Sequence, residues 1–281
     1  MFGRFSSVVM DSPYSRRPLP PTTLALPTDS GPEPASDPAQ ARNIAAGIAV
    51  PASVETLSPG KAPLWRSWVP CLREEALAVV AIRAVVFDIG GVLEITPDLG
   101  VDRQWETRLG LPAGQIGERM HDVWLGGSLG AITLDDVHQA ITDRLGLDER
   151  QVAAFMADMW REYLGTANTE LIEYARGLRP RYRTGILSNS FVGAREREQA
   201  AYGFEDLVDE IVYSHEAGMS KPDPRIYALV CSRLNVRHDE TVFLDDTGVC
   251  VAGAREAGIH AVHYRDNAQA IAEIEDLLAT P

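Results

Sequence analysis

Lysine is almost missing from this chain. Of its 26 Lys and Arg residues only Lys61 and Lys221 are lysines, and arginine supplies the rest of the positive charge. A lysine kept in such a chain is a candidate for chemistry that arginine cannot do. An ammonium is a compact point charge that fits between a carboxylate and a phosphate oxygen, whereas a guanidinium is a wide planar fork. A coding bias toward arginine is the plain alternative. Cysteine is scarce as well: Cys71, Cys231 and Cys250 are odd in number and widely spaced, which argues against a disulfide framework and a zinc site and fits a reducing cytoplasm. No apolar run is long enough to span a bilayer, the longest (76–86) being interrupted by Arg83. The start, Met1-Phe2-Gly3-Arg4-Phe5, leads into no apolar signal segment, so neither export nor membrane insertion is expected. An excess of basic charge is also lacking, and the formal net charge of −14 argues against nucleic acid or an anionic membrane as the main partner. Residues 1–70 carry six basic and five acidic side chains, a net of +1, which leaves −15 for residues 71–281. An anionic substrate there needs a local cation, a metal or Lys221.

At 281 residues, 45% hydrophobic and 23% charged, the chain has material for one large or two small globular domains. Twelve of its eighteen prolines fall in residues 1–70, without a sustained helical or strand period. Such a segment buries too little apolar surface to offset its ordering entropy, so residues 1–80 read as a disordered extension. It is either a docking or regulatory tail or the product of an upstream start codon. From residue 81 short apolar runs alternate with amphipathic helices, the pattern of an α/β fold with a Rossmann-like parallel sheet. Ala84-Val85-Val86-Phe87, Thr184-Gly185-Ile186-Leu187, Glu210-Ile211-Val212-Tyr213, Thr241-Val242-Phe243-Leu244 and Ala261-Val262-His263-Tyr264 are the expected buried strands. Helices are expected at about 224–235, 248–257 and 267–279. The interval 98–180 reads as helical throughout, with Thr133 and Asp148 as N-caps, and forms an all-helical cap inserted into a core of 81–97 and 181–281. Its Trp and Met residues are expected to be packing rather than a ligand box.

In open parallel sheets ligands bind beyond the carboxyl ends of the strands. The first strand ends in Asp88-Ile89-Gly90-Gly91-Val92, the second in Ser188-Asn189-Ser190 and the fourth in Asp245-Asp246, while Lys221 follows the third. These groups converge on one rim. A Mg²⁺ ion takes hard oxygen ligands, which Asp88, Asp246 and the carbonyl of Gly90 can supply. Ser188, Lys221 and the backbone N–H groups of 89–91 can then hold phosphate oxygens.

The set resembles the haloacid dehalogenase superfamily, in its phosphatase branch with a helical cap after the first strand. The matching segments are Phe87-Asp88-Ile89-Gly90-Gly91-Val92-Leu93, Leu187-Ser188-Asn189, Lys221-Pro222-Asp223-Pro224-Arg225-Ile226-Tyr227 and Phe243-Leu244-Asp245-Asp246, in the family's order over about residues 82–281. The Lys221 to Tyr227 run and the double Asp are similar to sugar-1-phosphatase-like members and to the N-terminal phosphatase domain of soluble epoxide hydrolases. The resemblance implies a Mg²⁺-dependent phosphatase acting on a small phosphorylated metabolite such as a sugar phosphate. Asp88 would be the nucleophile that becomes an aspartyl phosphate. Ser188, with Asn189 beside it and Gly90 and Gly91 in the loop, would bind the phosphoryl group. Lys221 would neutralise Asp88 and phosphate together, Asp246 would be the main acidic Mg²⁺ ligand, and Asp245 its neighbour.

Two positions depart from the family pattern. Gly90 stands where phosphatases usually carry a second Asp that protonates the leaving group and later activates water, a group whose loss typically costs about 10²–10⁴ in rate. Cys250 stands four residues after Asp246, where the double-Asp motif usually has Asn. For Gly90 three explanations compete: a substrate with a good leaving group, a substitute acid with His215 as the nearest candidate, or a protein that keeps phosphate or metal binding without turnover. A metal-free dehalogenase is the remaining enzymatic alternative. Such enzymes usually show Tyr at this position and do not need the Asp pair as metal ligands.

Overall fold

The computed structural model describes residues 80–280. The proline-rich segment expected to be disordered, with Lys61 and Cys71, lies outside the described residues. In chain order the elements are β1 (Ala84–Phe87), β2 (Glu94–Ile95), α1 (Val101–Leu109), α2 (Gln115–Ser128), α3 (Leu134–Leu145), α4 (Glu149–Leu164), β3 (Thr166–Ala167), α5 (Thr169–Gly177), β4 (Arg183–Ser188), α6 (Ala194–Tyr202), α7 (Phe204–Leu207), β5 (Glu210–Tyr213), α8 (Ser214–Ala217), α9 (Pro224–Leu234), a 3₁₀ turn (His238–Glu240), β6 (Thr241–Asp245), α10 (Gly248–Glu256), β7 (His260–His263) and α11 (Asn267–Ala279).

Five strands form a parallel sheet in the order β5-β4-β1-β6-β7. β1 is buried along its whole length, and its alternating side chains feed two different layers. Val85 and Phe87 join Leu171 and Ile172 of α5 and Ala270 and Ile274 of α11. Ala84 and Val86 join Tyr227 and Val230 of α9 and Val251 and Ala254 of α10. A strand apolar on both faces can only lie between two helical layers, which is why four apolar residues in a row specify a central parallel strand. The sheet register brings Phe87 beside Ile186 of β4 and Leu244 of β6. Asp88 and Asp245 therefore stand level at the ends of adjacent strands, with Ser188 one residue further along β4.

The helices α1–α4 bury their own cluster around Trp105, Met120, Trp124, Phe155 and Met159, so the Trp and Met residues of the interval are packing, as their spacing predicts. Thr133 and Asp148 cap α3 and α4, each in a reciprocal capping box, with Asp136 and Gln151 respectively. The interval is not helical throughout. β2 and β3 pair antiparallel, Glu94 opposite Ala167 and Ile95 opposite Thr166, and form a short ribbon where the helical segment leaves and rejoins the sheet. Two-residue strands carry too few side chains to show a period, so this ribbon is invisible in the sequence.

The helical segment is fastened to the loop after β4. Phe191 is buried among its aromatics, 5.9 Å from the ring of Trp124 and 6.3 Å from that of Trp160. Gly127 of α2 makes room for it: a Cβ there would lie 2.2 Å from the Phe191 ring. The Ser214 hydroxyl donates to the carbonyl of Ser128 at 2.8 Å and accepts from the Ser190 N–H at 2.8 Å, joining α2 to the sheet's edge. Among the described residues no helix is long and apolar enough to cross a membrane.

Candidate active site

Lys221 is one of the largest fully buried side chains, 1% exposed, in the loop before α9. Pro224 opens α9 at its first turn and Asp223 caps it, so the lysine sits just ahead of a rigid helix start. Its ammonium lies 2.8 Å from Asp88 Oδ1 and 2.7 Å from Asp245 Oδ2. Asn189 holds the lysine's backbone at two points: Asn189 Nδ2 donates to the Lys221 carbonyl at 3.0 Å, and the Lys221 N–H donates to Asn189 Oδ1 at 2.8 Å. A charge removed from water needs partners of this kind to be tolerated. Burial disfavours the charge on Lys221, but Asp245 and Asp88 outweigh it and hold the lysine above its ordinary pKa. The Asp88 carboxyl is pushed up by burial, drawn back by Lys221, and pushed up again by Asp245 and Asp246. Three carboxyl groups thus face one ammonium, and a further cation would relieve the surplus.

Above this buried layer lies a pocket of about 140 Å³, bordered by Asp88, Gly90, Gly91, Ser188, Asn189 and Asp246. Asp245 and Lys221 support it from below. Asp245 has both oxygens engaged, Oδ2 by Lys221 and Oδ1 by the Thr247 N–H at 2.7 Å. Asp246 is exposed, with Oδ1 accepting from the Thr247 hydroxyl at 3.2 Å. One carboxylate oxygen from each of Asp88, Asp245 and Asp246 can be chosen so that all lie within 4.8 Å of one another, a hard-oxygen set suited to Mg²⁺. Gly91, at φ +76°, is required here. A Cβ on it would stand 2.3 Å from Asp246 Oδ2 and drive that carboxylate away from the loop that follows Asp88.

Of the backbone donors expected to face phosphate, the Ile89 N–H is instead taken by Asp88 Oδ1 at 2.8 Å. Cys250 is fully buried, its thiol pushed up to about 12 by burial, and it is close enough to Lys221 to be felt electrostatically. His215 does not border the pocket. Its Nδ1 lies 2.6 Å from the Ser190 hydroxyl, and burial lowers its pKa, so it belongs to the junction with the helical segment.

Glu94 borders the pocket, is 2% exposed, and escapes notice in the sequence. Burial, then Glu198 and Asp88, push its carboxyl up to about 10, eased only in part by the Thr96 hydroxyl. Glu198 is fully buried and accepts hydrogen bonds from Tyr163 at 3.0 Å and Tyr213 at 2.6 Å. Burial outweighs those bonds and raises it to about 7. The available signal was an acid inside the apolar run Val92-Leu93-Glu94-Ile95, since a carboxyl is rarely buried without a purpose.

Known proteins are similar to this chain in sequence and fold. The chain is 32% identical to Phosphatase MT3486 of Mycobacterium tuberculosis, over 65% of this chain and 87% of that one. It is 25% identical to a D-ribitol-5-phosphate phosphatase of Bacteroides thetaiotaomicron, over 66% and 94%. Longer relatives match as well, and the chain spans 40% or less of their length. Its fold is that of a haloacid dehalogenase family enzyme of B. thetaiotaomicron solved with magnesium and inorganic phosphate, with TM-score 0.59 and 22% identity over 68% of this chain and 99% of that one. The family model for haloacid dehalogenase-like hydrolases matches residues 82–258, from the strand that carries Asp88 to the helix that follows Asp246, and this chain belongs to that family.

Proposed function

We propose that this protein is a Mg²⁺-dependent phosphatase that hydrolyses a small phosphomonoester, such as a sugar or polyol phosphate, through an aspartyl phosphate on Asp88. The observation that carries the reading is the setting of Asp88, held by Lys221 at 2.8 Å and bordering a pocket shared with Ser188 and Asp246. Both the Ile89 N–H and Lys221 contact Oδ1, so Oδ2 is the oxygen that attacks phosphorus. The Ser188 hydroxyl and the backbone of Gly90 and Gly91 bind the phosphoryl oxygens, and Asn189 keeps Lys221 in place. Asp88, Asp246 and the Gly90 carbonyl would hold Mg²⁺, with Asp245 supporting them, and the ion would supply positive charge toward the phosphoryl group. The phosphatases among the relatives, and the magnesium and phosphate bound by the family enzyme of like fold, support the same reading. A pocket of about 140 Å³ suits a phosphoryl group with a small portion of its ester.

The test is turnover of p-nitrophenyl phosphate and a panel of sugar phosphates with and without Mg²⁺, in the wild type and Asp88→Asn. The expected result is Mg²⁺-dependent phosphate release that falls to background in Asp88→Asn. Release that persists in the variant removes Asp88 as nucleophile. A second reading, a phosphate-binding protein without turnover, is favoured by Gly90, and Mg²⁺ binding with no release from any substrate would select it.

A further inference from the structure

Gly90 removes the acid that this chemistry ordinarily uses, and the structure puts another beside the gap. We propose that Glu94 is the proton donor to the leaving group and the acceptor from the hydrolytic water. The proposal rests on the phosphatase reading of Asp88. A Cβ built on Gly90 would have as its nearest neighbours Thr96 Oγ1 at 3.7 Å and Glu94 Oε1 at 4.0 Å, so the space an aspartate would enter is bordered by the Glu94 carboxyl. Glu94 Oε2 is buried with no hydrogen-bond partner, a costly state that a bound substrate or water in the pocket would relieve. The backbone ties Glu94 to the nucleophile loop: its N–H donates to the Ile89 carbonyl at 3.0 Å, it bridges Gly90, and β2 pairs it with Ala167. The position is therefore as fixed relative to Asp88 as that of a residue on the loop itself.

Of the carboxyls bordering the pocket, Asp88 is the nucleophile and Asp246 belongs to the metal set, which leaves Glu94. Glu198 is fully buried with both oxygens engaged by tyrosines, and His215 is outside the pocket. In the first step Asp88 Oδ2 bonds to phosphorus, the phosphorus–ester oxygen bond breaks, and the Glu94 proton passes to that oxygen, which leaves as an alcohol. In the second, Glu94 takes a proton from water as the water oxygen bonds to phosphorus. The bond to Asp88 breaks, phosphate leaves, and Glu94 is again protonated.

Glu94→Gln in the full chain, assayed with Mg²⁺ over phosphate esters from p-nitrophenyl to simple alkyl, tests this. The first turnover of alkyl phosphates is expected to slow about 10²–10⁴-fold and that of the nitrophenyl ester far less, while hydrolysis of the phosphoenzyme slows for every ester. The nitrophenyl ester should also release a burst of nitrophenol equal to the enzyme present, with the phosphoenzyme detectable by intact mass after acid quench. Adding Gly90→Asp to Glu94→Gln should restore alkyl phosphate turnover, since a side chain at residue 90 meets only ordinary contacts. A loss uniform across the esters, with no burst, overturns the proposal while leaving Asp88 in its role. Phosphate release that survives Asp88→Asn overturns the phosphatase reading and the proposal with it. Should Glu94→Gln not fold, Glu94→Asp, whose carboxyl is one methylene shorter, is expected to show the same leaving-group dependence in smaller measure. A first-turnover loss uniform across the esters is equally fatal there.

Discussion

Asp88 and Asp245 share the ammonium of Lys221, whereas Glu94 at the same pocket and Glu198 behind Tyr163 have no ion pair among the described residues. All four are buried carboxyls. The first two are compensated by a cation at hydrogen-bond distance. The second two are driven toward the neutral form by burial, and Glu94 further by the charges of Glu198 and Asp88. Burial raises Asp88 as it raises Glu94 and Glu198, but only at Asp88 does an ammonium in contact oppose it, and the proposed division between nucleophile and proton carrier follows that difference. The backbone organises the division: β1 points Asp88 down onto a lysine, while the ribbon of β2 and β3 folds Glu94 back over the loop.

The largest expected way to break the contrast is Lys221→Met. It leaves Asp88 and Asp245 unpaired in the interior, which should cost about 3–5 kcal/mol of stability and remove turnover, read by urea denaturation at pH 7 alongside the phosphatase assay. Glu94→Gln should instead raise stability at pH 7, by up to about 3 kcal/mol, since Glu94 is ionised when unfolded and must take up a proton to be buried neutral, which Gln need not do. Equal losses in the two variants would erase the distinction between the two groups.

Glu198→Gln is next in size. The Glu198 carboxyl is raised from 4.5 to about 7 by burial, so its contribution to stability is fully present below about pH 4.5 and is lost as pH rises through about 7. The variant should escape that loss and gain up to about 3 kcal/mol on wild type between pH 4.5 and pH 8, seen as a flatter plot of melting temperature against pH. An unchanged slope would mean that the Tyr163 and Tyr213 hydroxyls already hold Glu198 ionised. The smallest effect is expected of Gly90→Asp in the wild type. It should help alkyl phosphates modestly and the nitrophenyl ester hardly at all, because Glu94 already supplies the proton, and an equal gain on both would set leaving-group protonation aside.

Much of the site was legible along the chain. Asp88, Ser188, Asp245 and Asp246 each end an apolar run, and in a parallel sheet strand ends are where side chains meet a ligand. Thr133 and Asp148 announced two helices because N-capping is a contact between residues three apart. Other features were hidden because they depend on approach through space. Asn189 was expected beside phosphate and borders the pocket, yet its amide is spent on the backbone of Lys221, 32 residues away. His215 was the nearest substitute acid by position, and the fold turns it toward Ser190. Glu94, one acid among apolar neighbours, carried no expectation.

The sequence by itself determined the five strands of the sheet, the caps at Thr133 and Asp148 and the order of the chemical groups. Each of these follows from side chains a few positions apart: two for a strand, three or four for a helix. It also singled out Lys221, one of two lysines in an acidic chain, as a candidate partner for a carboxylate. Only the tertiary structure decided how each carboxyl is neutralised and which acid stands beside Gly90. Those outcomes depend on burial and on distances between β1, the β2–β3 ribbon and α6, and neither burial nor distance between remote segments is encoded in any local spacing.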